Sequence, residues 1–397
     1  MPQKLKFLFI VGCLEPGHDG VGDYTNTLAQ YLCKKGHSCL VIAIKDPFVL
    51  KSPLHLPSHP SIPYARIRLR DASKEKSYFT EIIKGFQPDC ISLQFVPYAF
   101  DKRGLPFYLA KLLKPVRQHC HFHIMMHEIW IGFDSWSSLK HKLMGKLQGL
   151  CIQYLFKALQ PQCVHTHTSI YKNHLQALYP GVGLLPLFSS IEDTGVESSL
   201  EAFQSLLLEK GLSFKSYDRP YYWIFAFFGA LYPEWPPEPL MHLLATAAKT
   251  DQKSVLILHF GHIGRGQTTW EDLEKAYSPA FKFFKLGPLV PREIELMLTH
   301  VDFGIASSPL HLLEKSASAL TFLEWGCPLI VNRIERDVKL STFFETRILK
   351  INTDDFTKHL AQAKRSPYSP RLEKAGIQFL KNLHFTPSHP FGYENTH

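Results

Sequence analysis

A short apolar run, Phe7 to Val11, gives way to a loop punctuated by Gly12, Gly17, Gly20 and Gly22. An amphipathic segment then sets Tyr24, Leu28 and Leu32 on one helical face. The order is strand, glycine loop, helix, and it restricts the chain to folds in which a helix packs back on a sheet. Asp23 or Thr25 is available as the helix N-cap, and Gly36 follows Lys34 and Lys35 at the other end. The helix N-terminus then points into the loop, where its unpaired N–H groups and partial positive charge suit an anionic or polyhydroxy ligand. The same pattern also describes an ordinary strand-to-helix connection.

The alternation continues. Ser38 to Ile44 reads as a strand and Asp46 to Pro63 as a Pro-rich loop, followed by a strand in ARIRL and a helix closing at Phe86. Pro88 to Val96 reads as a buried strand, PYAFDKRGLP as a loop, and HFHIMMHE as a strand ending in His127 and Glu128. A long helix is expected from about Leu139 to Leu159, and CVHTHTS turns from strand to helix near Ser169. Alternating strands and helices predict a parallel, doubly wound sheet whose ligands sit at the strands' C-terminal ends. Those ends carry the glycine loop, Gln94, His127, Glu128 and Ser169.

Composition shifts at Glu192 to Pro220, and the alternation then restarts with YYWIFAFFG, SVLILHFG, FKFFKLG, DFGIASS and CPLIV as strands. The expected organisation is an N-terminal α/β domain over 1–190, a connection over 191–220, a second α/β domain over 221–365, and a helix and tail over 366–397. The helix from Leu372 to Leu383 is suited to packing back on the first half. A chain of 397 residues exceeds the size at which one core stops growing, which agrees with two domains.

Residues 1–190 carry 22 Lys and Arg against 11 Asp and Glu, and the remainder 22 against 24, so the basic excess is confined to the first half. Such a half suits an anionic surface such as membrane headgroups, and equally a solvated basic face. The longest apolar run, Tyr221 to Leu231, falls far short of the roughly 20 residues a spanning helix needs. No signal-peptide pattern precedes the first strand, and the 8 cysteines show no CxxC pair. The expected setting is cytoplasmic, with contact at the inner face of a membrane as one option.

The two halves together resemble the GT-B glycosyltransferases, in particular the retaining nucleotide-sugar enzymes of glycosyltransferase family 4, which include glycogen synthase. The matching stretches are Gly20 to His37, the strand-end His127, FFGALYPEW (Phe227 to Trp235), LHFGHIGRG (Leu258 to Gly266), Phe284 to Ser308, and the helix ending at Gly326-Cys327-Pro328. The resemblance implies two Rossmann-like doubly wound domains facing a cleft, with the acceptor mainly on the first and a nucleotide-sugar donor mainly on the second. It implies that Gly20 and Gly22 approach the donor and that His127 lies near the transferred sugar, as the catalytic candidate. Gly229 then opens the donor domain, and Gly287, Leu289 and Val290 hold the base through backbone groups. Asp23, Gln94 and Glu128 fall on the acceptor side. The acceptor class stays open among saccharide, lipid-linked and small-molecule acceptors; no nucleic acid and no cofactor beyond the donor substrate is expected.

Two departures stand out. The basic pair that family members carry after the first donor-domain strand is missing from GALYPEW, so Arg265 and Lys315 are the candidate diphosphate contacts, with Ser316 as a helix cap whose neighbouring amides can hold an oxyanion. The family's two glutamates fall, without gaps, on Leu313 and Thr321, leaving Glu324 as the nearest carboxylate for a ribose. A non-catalytic GT-B homologue that binds a sugar nucleotide or a protein partner, and a sugar-nucleotide epimerase, remain alternatives. A dinucleotide oxidoreductase using Gly20, Gly22 and Asp46 is weaker, because Thr25 replaces the third glycine. His119, His121, His123 and His127 alternate along one strand and invite a metal, but no Asp or Cys spacing completes the set, so no metal site is expected.

Overall fold

A computed structural model describes residues 4–17, 19–49, 62–67, 74–133, 137–195, 198–336, 338–351 and 355–383. Most of the loop expected at Asp46 to Pro63, and the end of the ARIRL strand, lie outside them. The chain forms two compact units. One runs to Pro186 and takes back the C-terminal stretch from Leu372; the other is Leu187–Arg371. No helix among the described residues is long and apolar enough to cross a membrane.

In the first unit the elements are β1 (Lys6–Val11), α1 (Gly20–Lys34), β2 (Ser38–Ala43), β3 (Tyr64–Arg66), α2 (Lys74–Phe86), β4 (Cys90–Phe95), α3 (Pro97–Phe100), α4 (Tyr108–Leu113), β5 (His121–Met126), α5 (Leu139–Leu159), β6 (Cys163–Thr166), α6 (Ser169–Leu175) and β7 (Gly183–Leu184). All strands are parallel, in the order β3-β2-β1-β4-β5-β6-β7. β1 and β4 are the switch point, where the order reverses and the crossovers leave a crevice. Helices cover both faces, so β4 is buried at all six positions, with Ser92 and Gln94 as the polar residues among them.

α1 begins earlier than expected. Its N-cap is Asp19, whose carboxylate accepts from the Val21 amide at 2.9 Å, while Asp23 lies in the first turn and Thr25 donates back to Val21 O at 2.6 Å. Gly20 and Gly22 are therefore helical residues. A Cβ on Gly22 would meet Cys13 O at 2.7 Å, whereas one on Gly20 would meet open space.

The second unit contains α7 (Leu200–Glu209), β8 (Tyr222–Phe228), α8 (Glu238–Thr250), β9 (Ser254–Phe260), α9 (Gln267–Tyr277), β10 (Lys282–Gly287), α10 (Pro291–His300), β11 (Phe303–Ala306), α11 (Ala317–Glu324), β12 (Leu329–Val331), α12 (Thr342–Glu345), β13 (Ile348–Lys350) and α13 (Phe356–Gln362). The parallel order β10-β9-β8-β11-β12-β13 repeats the first sheet's logic, with its switch point between β8 and β11. Its core gathers Phe225, Phe227, Trp235, Leu244, Trp270 and Ile305.

The stretch 191–220, expected as a connection, belongs to this second unit. α7 buries Phe203, Leu206 and Leu207 and packs on α10, where the Phe203 and His300 rings stack 4.9 Å apart. The last helix among the described residues, α14 (Leu372–Asn382), packs on α1 in the first unit. Gly376 permits this approach, since a Cβ there would meet the Tyr31 ring at 2.1 Å, and Phe379 lies against Phe7, Phe9 and His123.

Candidate functional site

At the C-terminal edge of the second sheet, three strands end in glycines with positive φ, Gly229 at +74°, Gly261 at +88° and Gly287 at +77°. Backbone bonds tie them into one strip: Gly229 N to Phe260 O at 2.8 Å and Gly261 N to Gly287 O at 2.8 Å. A Cβ on Gly261 would meet Gly229 N at 3.1 Å, so side chains are excluded and the backbone is the surface. Beneath it, the buried His259 donates from Nε2 to Gly229 O at 2.8 Å, while its Nδ1 has no hydrogen-bond partner. Burial pushes this imidazole down to about 4, with the Gly229 carbonyl partly opposing, so the ring is neutral at pH 7.

Arg265 is exposed in the turn Gly264–Gly266. That turn is held against the Gly229 loop by Leu231 N to Ile263 O at 3.0 Å, and a Cβ on Gly266 would meet Leu231 O at 2.3 Å. The fold thus brings a cation beside the loop that lacks the expected basic pair. Across the switch point, Ser307 donates to Ala230 O at 2.7 Å and Trp235 Nε1 to Ala306 O at 3.2 Å, fixing the same loop from the β11 side. Leu289 and Val290 follow β10, with Val290 exposed and its amide donating to Glu293 at 2.9 Å in the capping box of α10.

Ser316 caps α11, accepting from the Ala319 amide at 3.4 Å and from the Ser308 hydroxyl at 3.2 Å, and Lys315 is half-buried just before it. Thr321 and Glu324 point elsewhere. Both are buried on one face of α11 and hold the chain at Ser189, through Thr321 Oγ1 to Ser189 Oγ at 2.9 Å and Ser189 N to Glu324 Oε1 at 3.2 Å. Burial pushes the Glu324 carboxyl up to about 7, with the Ser189 amide and Arg371 partly opposing. Thr321 and Glu324, both expected at the donor, thus face Ser189 of the same unit.

In the first unit His127 ends β5, buried, with the Tyr24 ring edge-on at 5.0 Å. Its Nε2 lies 2.8 Å from Gln94 Oε1 and its Nδ1 3.0 Å from His167 Nε2; His167 Nδ1 faces Leu185 O at 3.0 Å. Gln94 also reaches Ser92 Oγ at 2.7 Å, Ser92 meets His123 Nδ1 at 2.7 Å, His123 Nε2 meets His165 Nδ1 at 3.0 Å, and Asn382 meets His165 Nε2 at 2.8 Å. A continuous buried chain therefore links His127 to the C-terminal helix.

Leu185 O can only accept, so His167 carries a proton on Nδ1. With Gln94 Oε1 facing His127, that residue donates from Nε2, and the hydrogen between His127 Nδ1 and His167 Nε2 comes from a ring that then donates from both nitrogens. Turning the Gln94 amide over lets every ring stay neutral, with all donors pointing from Asn382 toward Leu185 O. Glu128 is half-buried beside the chain, and Asp23 lies near the loop, with Gly17 N 3.4 Å from its carboxylate.

Spacing along β5 alone missed two partners that β6 supplies. His123, Cys163 and His165 are buried, with donor atoms within 4.8 Å of one another, the one group among the described residues with metal-compatible ligands. Burial pushes His165 down to about 4 and the Cys163 thiol up to about 12. The donors already satisfy one another by hydrogen bonds. Asp46, the acid of the oxidoreductase alternative, is fully buried and occupied by Arg66 Nε at 2.7 Å and the Leu14 and Phe48 amides at 3.0 and 3.1 Å. It has no edge left for a ribose.

Two parallel sheets, each with its own switch point, the second with glycine turns at three strand ends, define a GT-B fold with two Rossmann-like units. No family model matches the sequence, and no curated protein matches it. Among solved structures, the chain is similar to the catalytic domain of starch synthase IV from Arabidopsis thaliana bound to ADP and acarbose, at TM-score 0.57 and 12% identity over 96% of this chain and 99% of that one. HepE of Anabaena, in complex with UDP and glucose, gives TM-score 0.57 and 12% identity over the same shares. A UDP-GlcNAc 2-epimerase from Neisseria meningitidis bound to UDP-GlcNAc gives TM-score 0.53 and 11% identity over 96% and 99%.

Proposed function

We propose that this protein transfers a glycosyl group from a nucleoside diphosphate sugar to an acceptor, with retention of configuration. The donor nucleotide is received on the second unit by the glycine strip at Gly229, Gly261 and Gly287. Arg265 and Lys315, with the amides at the start of α11, neutralise the diphosphate as charge builds on its leaving oxygen. Gly20 leaves the N-terminus of α1 open toward an anionic or polyhydroxy group, and His127 stands at the acceptor-side edge of the first sheet, held by Gln94 and His167. The observation that carries this reading is the strip itself: three adjacent strand ends without side chains, tied by backbone bonds, with a cation-bearing turn stapled beside them.

The solved structures of similar fold include enzymes whose names describe both transfer and epimerisation, so the discriminating experiment has two stages. Thermal shift of the purified protein against UDP, GDP, ADP and their sugar conjugates, with NAD as control, tests for a donor site. A ligand at a hundred times its Kd adds about 2.7 kcal/mol of stability. Arg265→Ala should weaken nucleotide diphosphate binding about tenfold or more, the loss of one charge-assisted contact. Selective binding with turnover only when an acceptor is added supports transfer; interconversion of the sugar nucleotide alone supports epimerisation. The absence of any nucleotide-dependent shift refutes the donor site.

A further inference from the structure

α5 is apolar on two sides. Gly145, Gln148, Cys151, Ile152, Leu155, Phe156 and Leu159 are buried. On the opposite side Leu139, Leu143, Leu147, Leu150 and Tyr154 are exposed, at 85%, 64% and 57% for Leu139, Leu143 and Leu150. At 3.6 residues per turn these five fall within about 80° of the helix circumference. Phe107, also exposed, extends the row, its ring 6.0 Å from that of Tyr154. Single exposed apolar residues are ordinary on a protein surface, but an unbroken row along about four turns marks a surface that meets something.

The charges decide what it meets. α5 carries Lys140, Lys142, Lys146 and Lys157 and no acidic residue. Lys111 and Lys114 are exposed on α4 and the turn after it, which packs against α5. Beside the row a groove of 420 Å³ lies between α5 and the loop Trp130–Gly132, bordered by Lys142, Lys146 and Leu178. A second copy would bring lysines against lysines. An interfacial helix pairs an apolar face with flanking lysines because acyl chains and lipid phosphates lie at adjacent depths.

We propose that the outer face of α5 docks this unit on an anionic lipid surface, with its leucines in the headgroup–acyl boundary and its lysines at the phosphates. The inference is independent of the chemistry proposed above, since it uses neither the glycine strip nor the histidine chain.

The test is co-sedimentation of the purified full chain with phosphatidylcholine vesicles containing 30% phosphatidylglycerol, against phosphatidylcholine alone. Binding should appear on the anionic vesicles and weaken with salt. Lys140→Gln with Lys146→Gln should lower partitioning about 30-fold, the equivalent of ~1 kcal/mol per lysine. Leu143→Glu with Leu150→Glu should abolish it, while Leu208→Glu, at an exposed leucine of the second unit, leaves it unchanged. Hydrogen exchange of the unmodified chain should show added protection over Leu139–Leu159 when vesicles are present. No binding to anionic vesicles, or binding with no change over α5, overturns the proposal. A dimer in sedimentation velocity that Leu143→Glu with Leu150→Glu dissociates, without vesicle binding, overturns it in favour of a second copy.

Discussion

Glu324→Gln should stabilise the second unit above neutral pH. The Glu324 carboxyl is buried on α11 and its value rises from an ordinary 4.5 to about 7, chiefly through burial. The folded carboxyl therefore holds its proton more tightly than the unfolded one. Its contribution is fully present below about 4.5 and is lost as pH rises through 7, beyond which it is flat. A shift of this size at 1.36 kcal/mol per pH unit corresponds to about 3 kcal/mol. Glutamine keeps an oxygen for the Ser189 amide and has no charge to bury, so its advantage should grow from near zero at pH 4.5 to about 3 kcal/mol at pH 8. His165 and His259, both held near 4, act in the opposite sense, losing stability as pH falls from 6.5 toward 4, but they are common to both proteins and cancel in the difference. Urea unfolding followed by tryptophan fluorescence reads this unit, which contains Trp223, Trp235, Trp270 and Trp325. A variant no more stable than the parent at pH 8, or equally favoured at pH 5, would refute the assignment.

Gly22→Val should destabilise the first unit by about 1–3 kcal/mol through its collision with Cys13 O, as read by thermal unfolding. Gly20→Ala, facing open space, should leave stability unchanged or raised while weakening donor binding, so the pair separates packing from ligand approach. Arg66→Met should cost about 3–5 kcal/mol because it strands the buried Asp46 carboxylate, and adding Asp46→Asn should recover part of that in the same unfolding assay. Gln94→Leu should cost about 1–3 kcal/mol by leaving Ser92 and His127 short of a partner. In nitrogen NMR of the histidines, the same substitution should shift the His127 and His167 resonances together; a change at His127 alone would break the coupled-pair reading.

The fold was legible because buried parallel strands show as apolar runs and their crossovers as amphipathic segments. Those signals placed α5 at its observed ends and every strand from β1 to β12 to within a few residues, the two-residue β7 inside the longer apolar stretch GVGLLPLF. β13 escaped because a three-residue edge strand leaves little periodic trace, whereas α9 went unread although Trp270, Leu273 and Tyr277 stand at helical spacing. The candidate site was legible where it depends on backbone: glycines at strand ends announce their positive φ. It was hidden where it depends on side chains from different strands. His165 and His167 lie about 40 residues from the residues they contact, and nothing local marks that pairing. Glu324 shows the converse, since helical spacing placed it one turn from Thr321 correctly but could not tell that this face of α11 turns inward.

The return of α14 to the first unit has a consequence for the order in which the chain can fold. Phe379 and Asn382 close over the face of the first sheet that carries His123 and His165, yet the whole of Leu187–Arg371 is synthesised before them. At about 5–20 residues per second that interval lasts roughly 10–40 s. During it the nascent first sheet waits with its histidine face uncovered, and the second unit, contiguous in sequence, is free to finish first. Of the two units, the one begun first is thus completed last, and its buried histidine chain is sealed only by α14.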